Sequence, residues 1–372
     1  MSRTVADPVG GRRVYLDHAG SAPVLTEVRG ALRTVPEGNP ASPHSEGRAA
    51  RAALDEARDR AAAALEVDSR QIIFCASGTE AVNLALIGGG RRLAPGRRVV
   101  SWEAEHQSVL AALRRLHLEG RPLTLLPVEA SGHARPALPD DAGLVSIGLA
   151  NNEVGTLQPV EEVARAARAV GAHVHLDACQ GPVWVRPPVE LADLVSISGH
   201  KIGAGRGGLL VAAPDLPLDP LLHGGPQEWS RRAGREDVAA AVAVSVALEA
   251  CSENRYAWAG RVRPLAARLR DRLASLGGRA TGGEPRLPNY ATAAFARVRG
   301  EDLLLALDLN GVAASSGSAC ASGSLDPSHV LLAMGLTLPE AMGSLRLTLG
   351  PETTAAEVEQ ASATLETIAS LV

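Results

Sequence analysis

The sequence predicts an α/β protein with a mostly parallel central sheet. Two observations carry that expectation. Short apolar runs alternate with amphipathic segments of helical period, the pattern of a layered α/β fold. The runs are apolar throughout instead of alternating with polar residues, as in strands covered on both faces. In chain order the strand candidates are residues 71–74, 98–101, 123–127, 144–148, 173–177, 195–198 and 208–212. The amphipathic segments are 45–65, 79–88, 107–118 and 159–170. An Ala/Val-rich helix follows at 237–251, and its continuation at 258–276 carries arginine at helical spacing. The remainder reads as a smaller α/β unit, with a strand at 292–297, helices at 301–309 and 327–334, a strand at 344–348 and a helix at 354–368. The expected organisation is a large domain over 15–255, holding a seven-stranded sheet between helices, and a small domain made of 256–372 with the N-terminal arm 1–14. In such sheets ligands gather at the carboxyl ends of the strands.

Composition narrows the function classes. The 372 residues are 46% hydrophobic and 21% charged, enough for one large core or two unequal ones. A net charge of −4 gives no reason to expect direct nucleic-acid binding. No apolar run is long enough to span a bilayer, and the first residues lack the apolar core of a signal peptide. The expected compartment is the cytoplasm, with no membrane partner. Cys75, Cys179, Cys251 and Cys320 form no CxxC pair and no disulfide spacing, and a reducing compartment leaves them as thiols. No metal site is expected. Lys201 is the only lysine; arginine fills the other basic positions.

Lys201 ends the motif Ser198-Gly199-His200-Lys201, which closes an apolar run and precedes the glycine-rich stretch 203–208. An amine held beside a hydroxyl and an imidazole suits an imine to pyridoxal phosphate. Arginine cannot form one, because its guanidinium stays protonated. Four more polar clusters follow other predicted strands. Gly78 and Thr79 open a helix whose N–H groups and dipole favour a phosphate; an ordinary Ser/Thr cap with Glu80 fits the same residues. His106 can lie on a pyridine ring and shuttle protons, or serve structure. Asn151 and Asn152 can orient a cofactor oxygen or a substrate carboxylate, or simply make a turn. Asp177 can pair with a pyridinium nitrogen and strengthen the electron sink. Gln180 can donate to the cofactor's phenolic oxygen; a capping aspartate is the bland reading of this cluster.

Two features lie further on. Cys320 sits in Ser315-Ser316-Gly317-Ser318-Ala319-Cys320-Ala321-Ser322-Gly323, a run too small and polar to bury a thiol well, which favours a nucleophile. Arg346 is flanked by apolar residues in a strand-like run and needs a carboxylate partner if buried. An amino-acid substrate brings one; an internal salt bridge supplies another.

Together these residues resemble the cysteine desulfurases of the class-V, fold-type-I pyridoxal-phosphate family, from about residue 14 to about residue 368. The loop Ser315-Ser316-Gly317-Ser318-Ala319-Cys320 is similar to that of the nitrogen-fixation and iron–sulfur-assembly group. Ser198-Gly199-His200-Lys201, Asn151-Asn152-Glu153-Val154-Gly155, Asn39-Pro40 with Ser42, and His223-Gly224-Gly225 match the family as well. The resemblance implies that Lys201 is the imine lysine and proton shuttle, with His106 stacked on the ring as acid/base. It implies Asp177 on the pyridine nitrogen, Gln180 on the phenolic oxygen, and Gly78, Thr79, Ser198 and His200 around the phosphate. Asn152 and Arg346, with Asn39, become substrate-carboxylate ligands, and Cys320 the sulfur acceptor. The implied reaction converts L-cysteine to L-alanine and leaves a persulfide on Cys320. That sulfur passes to an acceptor protein: an iron–sulfur scaffold, a tRNA-thiolation protein or a biosynthetic enzyme. A homodimer with sites at the subunit interface is implied too. The sequence departs from the family in three places. Leu16-Asp17-His18-Ala19-Gly20-Ser21 lacks the usual threonine pair. Pro226 replaces a glycine. Arg235 stands where a threonine reaches the other subunit's phosphate. A selenocysteine lyase, an aminotransferase-like class-V enzyme and a non-catalytic sulfur-transfer scaffold are the competing readings; an aminotransferase has no need of the thiol loop.

Overall fold

Alternate residues of the central strands feed two different cores. Ile72 and Phe74 belong to one apolar cluster, Ile73 and Cys75 to another; Val100 and Trp102 divide from Val99 in the same way, as do Leu209 and Val211 from Leu210. Side chains of a strand alternate between faces, so two apolar faces produce an unbroken apolar run in the sequence. The protein is described by a computed structural model over residues 13–317 and 326–369. Its strands are β1 (Val14–Tyr15), β2 (Ile72–Cys75), β3 (Arg98–Trp102), β4 (Leu123–Leu126), β5 (Ala142–Gly148) and β6 (His173–Asp177). They continue as β7 (Leu194–Ser198), β8 (Gly208–Ala212), β9 (Arg279–Ala280), β10 (Tyr290–Ala294), β11 (Val312–Ala313) and β12 (Ser344–Thr348). The main sheet has seven strands in the order β2-β8-β7-β6-β5-β3-β4. β8 runs antiparallel to both neighbours, and the other pairings are parallel. The expected seven-stranded, mostly parallel sheet is therefore present.

One face is covered by the helices Ser45–Leu65 and Val238–Ser275, whose Leu54, Ala57, Val244 and Leu248 join the cluster of Phe74. The other face is covered by Gln107–Leu118 and by the helical stretch that begins at Gly78. That stretch passes through a π-helical turn at Leu84–Gly88, a local widening the sequence pattern did not announce. The helix Val238–Ser275 is continuous through Tyr256, where the sequence suggested a boundary, and through Pro264. An interior proline costs about 3 kcal/mol. The helix survives because Val262, Leu269 and Leu273 are buried on the same element, each contributing about 1.5–3 kcal/mol.

The strands β12-β10-β9 form a second, antiparallel sheet, and β1 pairs in parallel with β11. The two-residue strands β1, β9 and β11 are too short to leave a pattern in the sequence. β1 matters to the site. It leads into Leu16, whose N–H donates to Ala313, and Asp17 forms a bridge with Thr348 on β12. The turn after β1 is thereby held next to Arg346. No helix among the described residues is long and apolar enough to cross a membrane.

Candidate active site

The carboxyl ends of β3, β5, β6 and β7 open on one cavity of about 430 Å³. Gly78, Thr79, His106, Asn152, Asp177, Gln180, Ser198, His200 and Lys201 line it, and Arg346 closes it from β12. Two predicted residues are not brought there. Asn39 is exposed and turns back on its own loop, its Oδ1 accepting from the Ala41 N–H at 3.0 Å. Arg235 is exposed and outside this chain's cavity. Cys320 lies outside the described residues.

The capping reading of the first cluster is realised. Ser77 caps the helix, its Oγ accepting from the Glu80 N–H at 3.1 Å, while the Glu80 carboxylate accepts from the Ala76 N–H. Gly78 and Thr79, one step on, face the cavity. A Cβ at Gly78 would stand 2.7 Å from Ser198 Cβ and from Cys179 Sγ, so only glycine lets this helix start meet the end of β7. Ser198 Oγ lies 2.8 Å from His200 Nδ1. Helix-start N–H groups with these side chains can hold a phosphate.

Across the cavity, His106 Nδ1 accepts from the Ser108 N–H at 3.1 Å. The hydrogen-bond pattern therefore assigns the proton of the neutral ring to Nε2. Burial lowers the His106 pKa, and the Lys201 ammonium lowers it further. Asp177 Oδ1 accepts from the Cys179 N–H at 3.0 Å. Gln180 Nε2 donates to the Ala19 carbonyl at 2.8 Å and keeps a second hydrogen. Below Asp177 on β6, His175 is wholly buried between Ser146 Oγ (2.8 Å) and Ser196 Oγ (2.9 Å), and burial pushes its pKa down to about 4. It is a neutral structural histidine.

Arg346 is 3% exposed. Its Nη2 pairs with Asp17 Oδ1 at 2.9 Å, and its Nη1 donates to the Asn152 carbonyl at 2.8 Å. The internal salt bridge that the sequence left open is thus present. Among the described residues Arg346 Nε has no hydrogen-bond partner, so one donor of this buried cation is left for a ligand. Asp17 was missed as a site residue. Its signal was indirect: a buried strand arginine calls for a carboxylate, but a pairing across 329 residues has no local pattern.

Glu105 was also missed as a site residue. Its Oε1 accepts from the Gly148 N–H at 3.0 Å, and burial pushes its pKa up to about 8, with Asp177 adding to the rise. The fold prefers the neutral acid, so Glu105 stabilises fully below its ordinary 4.5 and loses that contribution as pH rises toward about 8. His18 and His175, both depressed to about 4, act with the opposite sign. Their contribution is present above the ordinary 6.5 and fades as pH falls toward about 4. Glu105→Gln is therefore expected to flatten the decline of Tm between pH 6.5 and about 8, read by calorimetry against the parent; parallel profiles would contradict the neutral acid.

Among the described residues no group of three or more His, Cys, Asp or Glu is placed to hold a metal ion. The residues present do fit pyridoxal phosphate: a glycine-floored helix start, one amine, one buried carboxylate at a strand end and a histidine converge on a single cavity.

Comparison with known proteins agrees with this geometry. A family model described as aminotransferase class-V matches residues 14–361, and the chain belongs to that family. The cysteine desulfurase IscS of Dictyoglomus turgidum is 38% identical over 96% of this chain and 94% of its own length. The putative cysteine desulfurase IscS 1 of Bacillus subtilis is 39% identical over 94% of this chain and 97% of its own. Among solved structures, a NifS-like protein superimposes with a TM-score of 0.91 at 30% identity, covering 97% of this chain and 100% of that one. Within the class-V enzymes the protein is a pyridoxal-phosphate-dependent cysteine desulfurase, which transfers sulfur from cysteine through an active-site cysteine.

Proposed function

We propose that Lys201 is the cofactor-bearing base of this desulfurase and Cys320 its sulfur acceptor. The observation that supports this reading is the convergence of the chain's only lysine, Asp177, His106 and Arg346 on one cavity. Pyridoxal phosphate, when bound, supplies the electron sink for carbanion chemistry at the substrate α-carbon. Gly78, Thr79, Ser198 and His200 would hold its phosphate, Asp177 its pyridine nitrogen and Gln180 its phenolic oxygen. His106 would lie against its ring, presenting the Nε2 proton. Arg346 and Asn152 hold the substrate carboxylate. Lys201 Nζ takes the α-proton of cysteine.

Cys320 thiolate then attacks the substrate sulfur. The new S–S bond forms as the Cβ–S bond breaks, and the electron pair of that bond leaves with the substrate carbon skeleton, which is protonated and released as alanine. Cysteine plus enzyme thiol becomes alanine plus enzyme persulfide, with no external oxidant. A protein acceptor removes the sulfur: an iron–sulfur scaffold, a tRNA-thiolation protein or a biosynthetic enzyme. A homodimer belongs to the same proposal, because Arg235 is exposed and outside its own cavity, as a residue serving a second subunit's phosphate should be. The free thiols of Cys75, Cys179 and Cys251 suit the reducing cytoplasm.

Product analysis tests the reading. Holoenzyme given cysteine and dithiothreitol should release alanine and sulfide in equal amounts; a keto acid as the main product would point to transamination instead. In the same assay Arg346→Ala should raise KM roughly tenfold or more, since a charge-assisted hydrogen bond contributes about 1.5–3 kcal/mol. Part of that effect is repulsion from Asp17, left unpaired, so adding Asp17→Asn should recover some of the loss. An unchanged KM would remove Arg346 from substrate binding.

A further inference from the structure

Glu153 is 5% exposed and does not line the cavity, and no step above uses it. It directly follows Asn152, the residue whose carbonyl accepts from Arg346. Its own N–H donates to Asn151 Oδ1 at 2.9 Å, which fixes the turn. A carboxylate buried this deeply needs partners. One is Ser328, whose Oγ donates to Glu153 Oε2 at 2.5 Å. Gly317 crowds the same oxygen: a Cβ there would stand 2.5 Å from Oε2. Gly317 and Ser328 bracket the stretch of sequence that contains Cys320. One carboxylate oxygen therefore meets both ends of that stretch.

The neighbouring contacts root the same two ends in the cavity wall. Before Gly317, Ser315 exchanges backbone hydrogen bonds with Arg346, at 2.6 and 3.2 Å. After Ser328, His329 Nε2 lies 3.0 Å from the Glu105 carbonyl, and His329 Nδ1 lies 3.1 Å from Gln107 Nε2. Glu105 and Gln107 flank His106. Burial raises the Glu153 pKa, opposed by the Ser328 hydroxyl and by the charges of His329 and Arg346.

We propose that Glu153 is a positioning residue that fixes both ends of the Cys320 segment against the cavity and so sets the approach of the thiol to the substrate sulfur. The proposal rests on the reading of Cys320 as sulfur acceptor. Its leverage is geometric, because misplacing a reacting group by about 1 Å can cost about a hundredfold in rate.

The test is alanine formation in a single turnover of holoenzyme. For Glu153→Ala the visible cofactor band and its response to cysteine should be unchanged, and the half-saturating cysteine concentration should stay within about twofold. The rate should fall about tenfold or more. Glu153→Gln, which keeps an acceptor oxygen opposite Ser328, should recover most of the rate. If Glu153→Ala does not fold, Ser328→Ala removes the same contact and should show the same pattern with a smaller loss. An unchanged rate in the fully loaded variant, or a loss confined to cysteine affinity, overturns the proposal. Cys320→Ser run in parallel separates the two ideas: full activity there sinks the sulfur-acceptor reading, whereas a dead Cys320→Ser beside a normal Glu153→Ala sinks only the positioning role.

Discussion

Lys201→Ala should abolish both the imine band of the holoenzyme at about 420 nm and all turnover of cysteine. The reason is chemical exclusivity. Lys201 is the only side-chain amine in the chain, and it stands on the short helical turn after β7, at the edge of the cavity. Conjugation of an imine with the pyridine ring gives a band at about 420 nm, and no other side chain here can form that bond. Lys201→Arg separates charge from chemistry. It keeps a cation beside Ser198 and His200 but cannot form an imine, so it should be as inactive as Lys201→Ala. Neither change touches Gly78, Thr79, Ser198 or His200, the proposed phosphate ligands, and both variants should still take up pyridoxal phosphate reversibly on dialysis. Borohydride reduction of the parent should lock the cofactor onto the peptide containing Lys201. A variant lacking Lys201 that keeps the band and desulfurates cysteine would overturn the assignment.

The sheet and most of the cavity were legible because each left a local mark. Strands buried on both faces read as apolar runs, and chemistry placed after successive runs reads as one edge of the sheet. Lys201 stood out as the only lysine and as the end of a motif that closes an apolar run. What escaped depends on register and on distance along the chain. His175 looks out of place in a buried strand until Ser146, its direct neighbour on β5, and Ser196 on β7 are seen to satisfy both ring nitrogens. Asp17 reaches Arg346 only because β1, a two-residue strand, pairs with β11 and delivers the turn. The two helical segments read on either side of Tyr256 form one helix because buried residues on both sides of it carry the helix through. Glu153 was visible as part of a turn motif, but its contacts with Gly317 and Ser328 exist only in three dimensions.

Cys320→Ser should keep the cofactor band and lose both persulfide and alanine formation. The case for Cys320 is strengthened by the state of the other thiols. Burial holds Cys75 and Cys179 well above the ordinary thiol pKa and pushes Cys251 to about 12, so each is a protonated, poor nucleophile. Cys179 is the one described cysteine that lines the cavity, and the Asp177 carboxylate raises its pKa further. A thiolate there would face an adjacent negative charge. Serine at 320 preserves size but offers an oxygen that stays protonated and bonds poorly to sulfur. Single-turnover incubation with radiolabelled cysteine should therefore place label on the peptide containing Cys320 in the parent, and on no peptide of the Cys320→Ser variant. Cys179→Ala should retain the label. The opposite pattern, full labelling without Cys320 and none without Cys179, would move the sulfur-accepting role into the cavity wall, and with it the need for a thiol carried on the downstream segment.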